Sequence, residues 1–151
     1  MGAWAYGVIF LGKIYQRRPQ SAYAGLGMPL QLEWHYLQKT VPEVGTVIGP
    51  IEEALREKNF PALFGGEEIN SNFRKILVQS VKHGGLGIPD PWLSADIAYN
   101  TSKAASGELV DSLLGGSALN YVGHRSCVYG ANAGARRERK HVELAEMARQ
   151  K

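Results

Sequence analysis

Apolar residues along this chain recur at helical intervals from its first turn. Trp4, Val8, Leu11 and Tyr15 are spaced by four, three and four residues, which places them on one face of a helix. Arg17-Arg18-Pro19 ends that helix, because the residue before a proline is pushed out of the helical region. A second stripe runs through Tyr23, Leu26, Leu30, Trp34, Leu37 and Val41. Pro29 lies inside it and removes one backbone donor, so a kink is expected near Gly25 to Met28.

Thr40-Val41-Pro42-Glu43 has the spacing of a capping box and predicts the start of a third helix. Its stripe is Val44, Val47, Ile48, Ile51 and Leu55. Gly49-Pro50 either kinks this helix or restarts it, with Glu52 and Glu53 suited to a first turn. Asn59-Phe60-Pro61 is expected to interrupt it, and Gly65-Gly66 to close the segment. Ser71 is the expected cap of a short fourth helix carrying Phe73, Ile76 and Leu77. Gly84-Gly85-Leu86-Gly87 reads as a loop able to take positive φ. Asp90-Pro91 then places a cap residue before a proline at the first helical position. The fifth helix runs from Trp92 past Ala98. A sixth carries Leu109, Val110, Leu113 and Leu114, is continuous with the fifth if Ser106-Gly107 stays helical, and stops at Gly115-Gly116. From Tyr121 the chain is dotted with glycine, and from Arg136 to Lys151 it is highly charged, which predicts an exposed helix.

No stretch sustains period-two alternation. The expected fold is all-α: an irregular bundle of about six helices with a long charged C-terminal helix. The expected division is a helical core over 1–116 and a glycine-dotted segment plus charged helix over 117–151.

Composition narrows the function classes. Lys+Arg is 17 and Asp+Glu 14, a net charge of +3, which permits a polyanionic partner without requiring one. The single cysteine, Cys127, cannot form an internal disulfide or a cysteine-based zinc site. It is expected to be a small, partly buried side chain. The apolar start lacks a basic leader region and is far short of about 20 residues, so neither a secretory signal nor a membrane span is expected. An intracellular chain is expected, with nucleus and cytoplasm not distinguished.

Chemistry-bearing constellations are sparse. Glu52-Glu53 and Glu67-Glu68 are adjacent pairs, which point about 100° apart on a helix and read as solvated charge. There is no adjacent Asp pair to hold two metal ions. His35, His83, His124 and His141 have no metal-ligand spacing, and His35 reads as a helix-flank residue. No catalytic residue, metal site, cofactor or small-molecule substrate is expected. The glycine loop fits neither the Walker A nor the dinucleotide pattern, and reads chiefly as a tight turn whose backbone could meet a phosphate beside Lys82. On a terminal helix Arg136, Arg139 and Lys140 form one cationic stripe, Arg137 points elsewhere, and Glu138 faces away. The expected nucleic-acid contacts are therefore Lys82, His83, Arg136, Arg137, Arg139 and Lys140.

Three stretches carry a family resemblance: PQSAYAGLGMPLQLEWHYLQKTVP from Pro19, GPIEEALREKNFPALFG from Gly49 and VKHGGLGIPDP from Val81. Together they resemble the region C-terminal to the palm in retrotransposon-type, non-LTR-like reverse transcriptases of microbial eukaryotes, a thumb-like and post-thumb helical segment. In that family a Leu-Pro-x-[Lys/Arg]-x-Gly-Gly-Leu-Gly segment follows the palm. Here it reads Gln79-Ser80-Val81-Lys82-His83-Gly84-Gly85-Leu86-Gly87, with Gln79 and Ser80 in place of Leu-Pro. The family's catalytic Asp-Asp hairpin is absent from this sequence. The resemblance implies a non-catalytic fragment that helps position a template–primer duplex of RNA or DNA. The alternative expectation is a helical protein-interaction module without a nucleic-acid role.

Overall fold

The computed structural model describes residues 3–148, and within them six helices and no strand. Helix α1 is Ala3–Tyr15. Helix α2 spans 19–40: Pro19–Gly25, a π-helical turn Leu26–Leu30, and Gln31–Thr40. Helix α3 spans 45–63: Gly45–Ala54, a second π-helical turn Leu55–Asn59, and Phe60–Leu63. Helix α4 is Ser71–Val78, followed by a 3-10 turn Val81–His83. Helices α5 (Pro91–Gly115) and α6 (Tyr121–Ala148) form a long hairpin.

Much of the core comes from the stripes read in the sequence, but Val41 and Val47 of those stripes are exposed, and Phe60, Ile69, Ile88 and Ala95 join from outside them. Val8, Leu26, Trp34, Ile48, Leu55 and Phe60 are fully buried, and Ile69, Leu77, Ile88 and Ala95 complete the cluster. Each π-turn answers a local difficulty. Pro29 offers no N–H, and the wider turn absorbs that loss while the helix continues. In α3 the wider turn carries Asn59, whose Nδ2 donates to the Val8 carbonyl of α1 at 2.9 Å. The helices approach closely there, since a Cβ on Gly12 would lie 3.3 Å from the Lys58 carbonyl.

Several local expectations need correction. Thr40 and Glu43 form no capping box: Thr40 is the last residue of α2 and its hydroxyl donates back to Tyr36 O, while Glu43 takes φ 53°. Asn59-Phe60-Pro61 does not interrupt α3, because the helix runs through it by way of the π-turn. The cap of α4 is Asn70, whose Oδ1 accepts from Phe73 N–H at 2.8 Å, and not Ser71. The glycine-dotted stretch after Tyr121, for which the sequence pattern specified no element, is helical and continuous with the charged segment. Residues 149–151 of the expected last helix lie outside the described residues.

Other expectations are met. Asp90 Oδ1 accepts from Trp92 and Leu93 N–H, Pro91 opens the helix, and α5 is continuous through Ser106-Gly107. Cys127 is half-buried. No helix among the described residues is long and apolar enough to cross a membrane.

Candidate nucleic-acid interface

The glycine loop is a structural turn before it is anything else. Gly84 and Gly87 take φ 84° and 67°, a region that strains any residue with a Cβ. A Cβ on Gly85 would collide with the Gln79 carbonyl. The backbone donors of the loop fold back onto the end of α4. His83 and Gly85 N–H bond to Ser80 O, Leu86 N–H to Leu77 O, and Gly87 N–H to Gln79 O. Those groups are therefore occupied, and contact with a phosphate here would fall to side chains. Lys82 and His83 are both exposed, with His83 Nδ1 3.1 Å from the Ser80 hydroxyl.

Helix α6 shows why the charged segment is shaped as it is. Val128, Asn132, Arg139 and Val142 line the cavities beneath the helix, and Ala135 on the same side is buried. With about 100° per residue, Arg136 and Lys140 then fall on the solvent side of Arg139, and Arg137 lies beyond them. All four cations are exposed. They form an arc that begins at the packed edge of the helix and opens toward solvent.

Folding also brings charge to Arg139 from elsewhere in the chain. Gln38 is fully buried and donates to Pro91 O and to Ser94 Oγ, which fixes the last turns of α2 against the start of α5. His35 and Lys39, one turn apart on α2, are thereby placed in a groove shared with Arg139. Lys39 sits in the last turn of its helix, where the dipole favours a cation. The groove deepens into two cavities. One, of about 460 Å³, lies between α2, α5 and α6 and is lined by His35, Lys39, Ser102, His124 and Arg139 among others. The other, of about 180 Å³, adds Lys75 of α4 and Gln79 just beyond it, and is mostly apolar. Burial lowers the pKa of the His35 imidazole below its ordinary value, and Lys39 and Arg139 lower it further. Neither Lys39 nor Arg139 forms an ion pair among the described residues.

Lys82 and His83 do not line these cavities; the nearest contributor from their segment is Gln79. The structure therefore joins Arg139 to α2, and leaves the glycine-loop pair as a separate exposed site. His35, Lys39 and His124 were not expected as site residues. Only the separation of His35 and Lys39 by one turn was visible locally, and it marks no site by itself.

Glu52 is buried and not solvated as expected. Arg74 Nε and Nη2 donate to its two carboxylate oxygens at 2.7 Å each, and Arg74 Nη1 donates to Ile88 O at 2.8 Å. The guanidinium also lies 5.0 Å from the centre of the Phe60 ring. Burial pushes the Glu52 carboxyl up from its ordinary pKa, and the two hydrogen bonds from Arg74 pull it back. This pair ties α3 to α4 and to the segment entering α5. Among the described residues no cluster of His, Cys, Asp and Glu could hold a metal ion.

Comparison with protein-family models, with curated proteins and with solved structures finds no match.

Proposed function

We propose that this chain is a non-catalytic helical segment of the reverse-transcriptase type, which holds the backbone of an RNA or DNA duplex along the outer arc of α6. The observation that carries the reading is the placement of Arg139. It stands at the packed edge of α6 beside Lys39 and His35, with Arg136 and Lys140 continuing the positive surface outward. Phosphate contacts of this kind position a duplex without reading its sequence. The resemblance to the post-palm region supports the same partner class.

Duplex binding followed by fluorescence anisotropy across a salt series tests it. Three cations in contact should give a log–log slope of roughly −2 to −3, at about −0.9 per phosphate. Replacing Arg136, Arg139 and Lys140 by Ala should flatten that slope with the helical circular-dichroism spectrum unchanged. An unchanged slope in the triple variant, or no binding by the parent chain, overturns the reading.

A second reading, a protein-interaction module, is favoured by one observation: Leu113 and Leu114 are largely exposed near the tip of the hairpin. Their replacement by Ser should abolish such an interaction and leave duplex binding untouched.

A further inference from the structure

The cavity between α2, α5 and α6 has a composition unlike the rest of the surface. Its polar lining includes the cations Lys39 and Arg139, the imidazoles of His35 and His124, and the hydroxyl of Ser102, and no carboxylate lines it among the described residues. Asp90 lines the adjoining cavity, and its Oδ1 already accepts from two backbone N–H groups. At about 460 Å³ the space is within the range of small-ligand pockets and wide enough for a phosphate group and more.

Three features of the cavity suit an anion. Lys39 and Arg139 are brought together across helices with no ion-pair partner among the described residues. His35 shares the cavity with them, and burial and their charge lower its pKa. His124 Nδ1 is buried without a hydrogen-bond partner. A doubly charged oxyanion relieves the first two together: a guanidinium offers it a planar fork and an ammonium a point charge. The remaining walls combine small apolar side chains, Ala98, Ala105 and Val128, with the neutral polar groups of Thr101, Ser106 and Asn132.

We infer that this cavity is a binding site for a phosphate monoester dianion, held by Lys39 and Arg139 with His35 and His124 on either side. The shared chemistry has two sources, the terminal phosphate of a nucleic-acid strand and a free phosphate compound. The site goes beyond the backbone contact proposed for the outer arc of α6 and does not require it.

The test uses the whole chain and two probes. In the first arm inorganic phosphate is titrated while the ring protons of the four histidines are followed by NMR. The expected result is saturable shifts of His35 and His124, His83 unmoved, and a rise in the His35 pKa on binding, because an anion favours the imidazolium. Lys39→Gln should weaken saturation by about ten-fold or more, the loss of one charge-assisted contact, and chloride at matched ionic strength should not reproduce the shifts. In the second arm an oligonucleotide with a 5′-phosphate is compared with the same strand ending in a hydroxyl. A preference lost in Lys39→Gln assigns the site to a strand end. Equal affinities, with inorganic phosphate still saturating His35 and His124, support the site and assign it to a free phosphate compound. Shifts of all histidines in proportion to ionic strength, or no response of His35 and His124 up to tens of millimolar phosphate, overturn the site. Retention of a steep duplex salt slope in that case leaves the backbone contact of α6 standing, so the two readings fail separately.

Discussion

The body of the molecule encloses a set of large apolar side chains, although Phe10, Leu32, Tyr36 and Val47 stay exposed on its surface. Trp34, Phe60, Leu26 and Ile48 have no accessible surface, whereas near the tip of the α5–α6 hairpin Leu113 and Leu114 keep 74% and 84% of theirs. The seam of the hairpin is lined instead by small residues. Ala105, Ser106, Cys127, Ala131 and Gly134 are half-buried, and Ala135 is the one described residue after Ala98 that is fully buried. Small residues let two helices approach closely but remove little apolar area from water, at about 25 cal/mol per Å². The body is thus stabilised by burial, and the distal hairpin chiefly by backbone hydrogen bonds and its attachment at Ala95 to Ala98. The same division separates the functional surfaces. The cationic groove lies where the hairpin meets the body, so its geometry depends on their docking.

The contrast is broken most directly in the core. Trp34→Ala should cost about 3–5 kcal/mol, the range for emptying a buried aromatic position, and urea denaturation of the whole chain measures it. An effect below about 1 kcal/mol would mean the body is not the stable part.

Next in size is the buried ion pair. Arg74→Met leaves the buried Glu52 without its partner and removes donors from Ile88 O and Pro89 O. A loss of about 3 kcal/mol is expected, with much of it recovered by adding Glu52→Leu, because a matched apolar pair avoids burying a lone charge. Denaturation midpoints of the two variants decide it; equal midpoints would show that Glu52 finds another partner.

Alkaline pH gives a smaller, graded effect. Burial raises the Tyr15 phenol from its ordinary value near 10 to about 12, with the Tyr23 charge adding to the shift. Its folded-state pKa is raised, so the contribution is fully present below pH 10 and is lost as pH rises between about 10 and 12. The Tyr15 hydroxyl has no hydrogen-bond partner. Tyr15→Phe should therefore be near neutral at pH 7 and should shift alkaline unfolding, followed by circular dichroism, to higher pH. An unshifted alkaline midpoint would place the titrating group elsewhere.

The smallest effect belongs to the hairpin tip. Leu113→Ser with Leu114→Ser should change stability by less than about 0.5 kcal/mol each, as for exposed positions generally. Hydrogen exchange should show the amides of 104–115 and 121–130 opening at lower free energy than those of 45–63. Strong destabilisation by the double change would mean that the leucines are covered in solution.

Local periodicity settled a good deal of this protein. The stripes of α1, α2 and α3, the Asp90-Pro91 start of α5 and the all-α class depend on residues three and four apart, which are neighbours on any helix whatever lies around it. The stripe of Arg136, Arg139 and Lys140, with Arg137 pointing elsewhere, was legible for the same reason. The remainder was decided by tertiary contact. Asn59-Phe60-Pro61 reads as a break, yet α1 accepts the Asn59 amide and the helix passes through a π-turn. Glu52 reads as surface charge, yet Arg74 from another helix makes its burial tolerable. The glycines after Tyr121 specify no helix by themselves, yet packing along α5 keeps them helical, overriding a propensity cost of about 1 kcal/mol each. Lys39 and Arg139 stand a hundred residues apart in the chain. No local pattern relates them; only the docking of α6 and α2 against α5 brings both to one cavity, because electrostatic proximity is a property of folded distance and not of sequence separation.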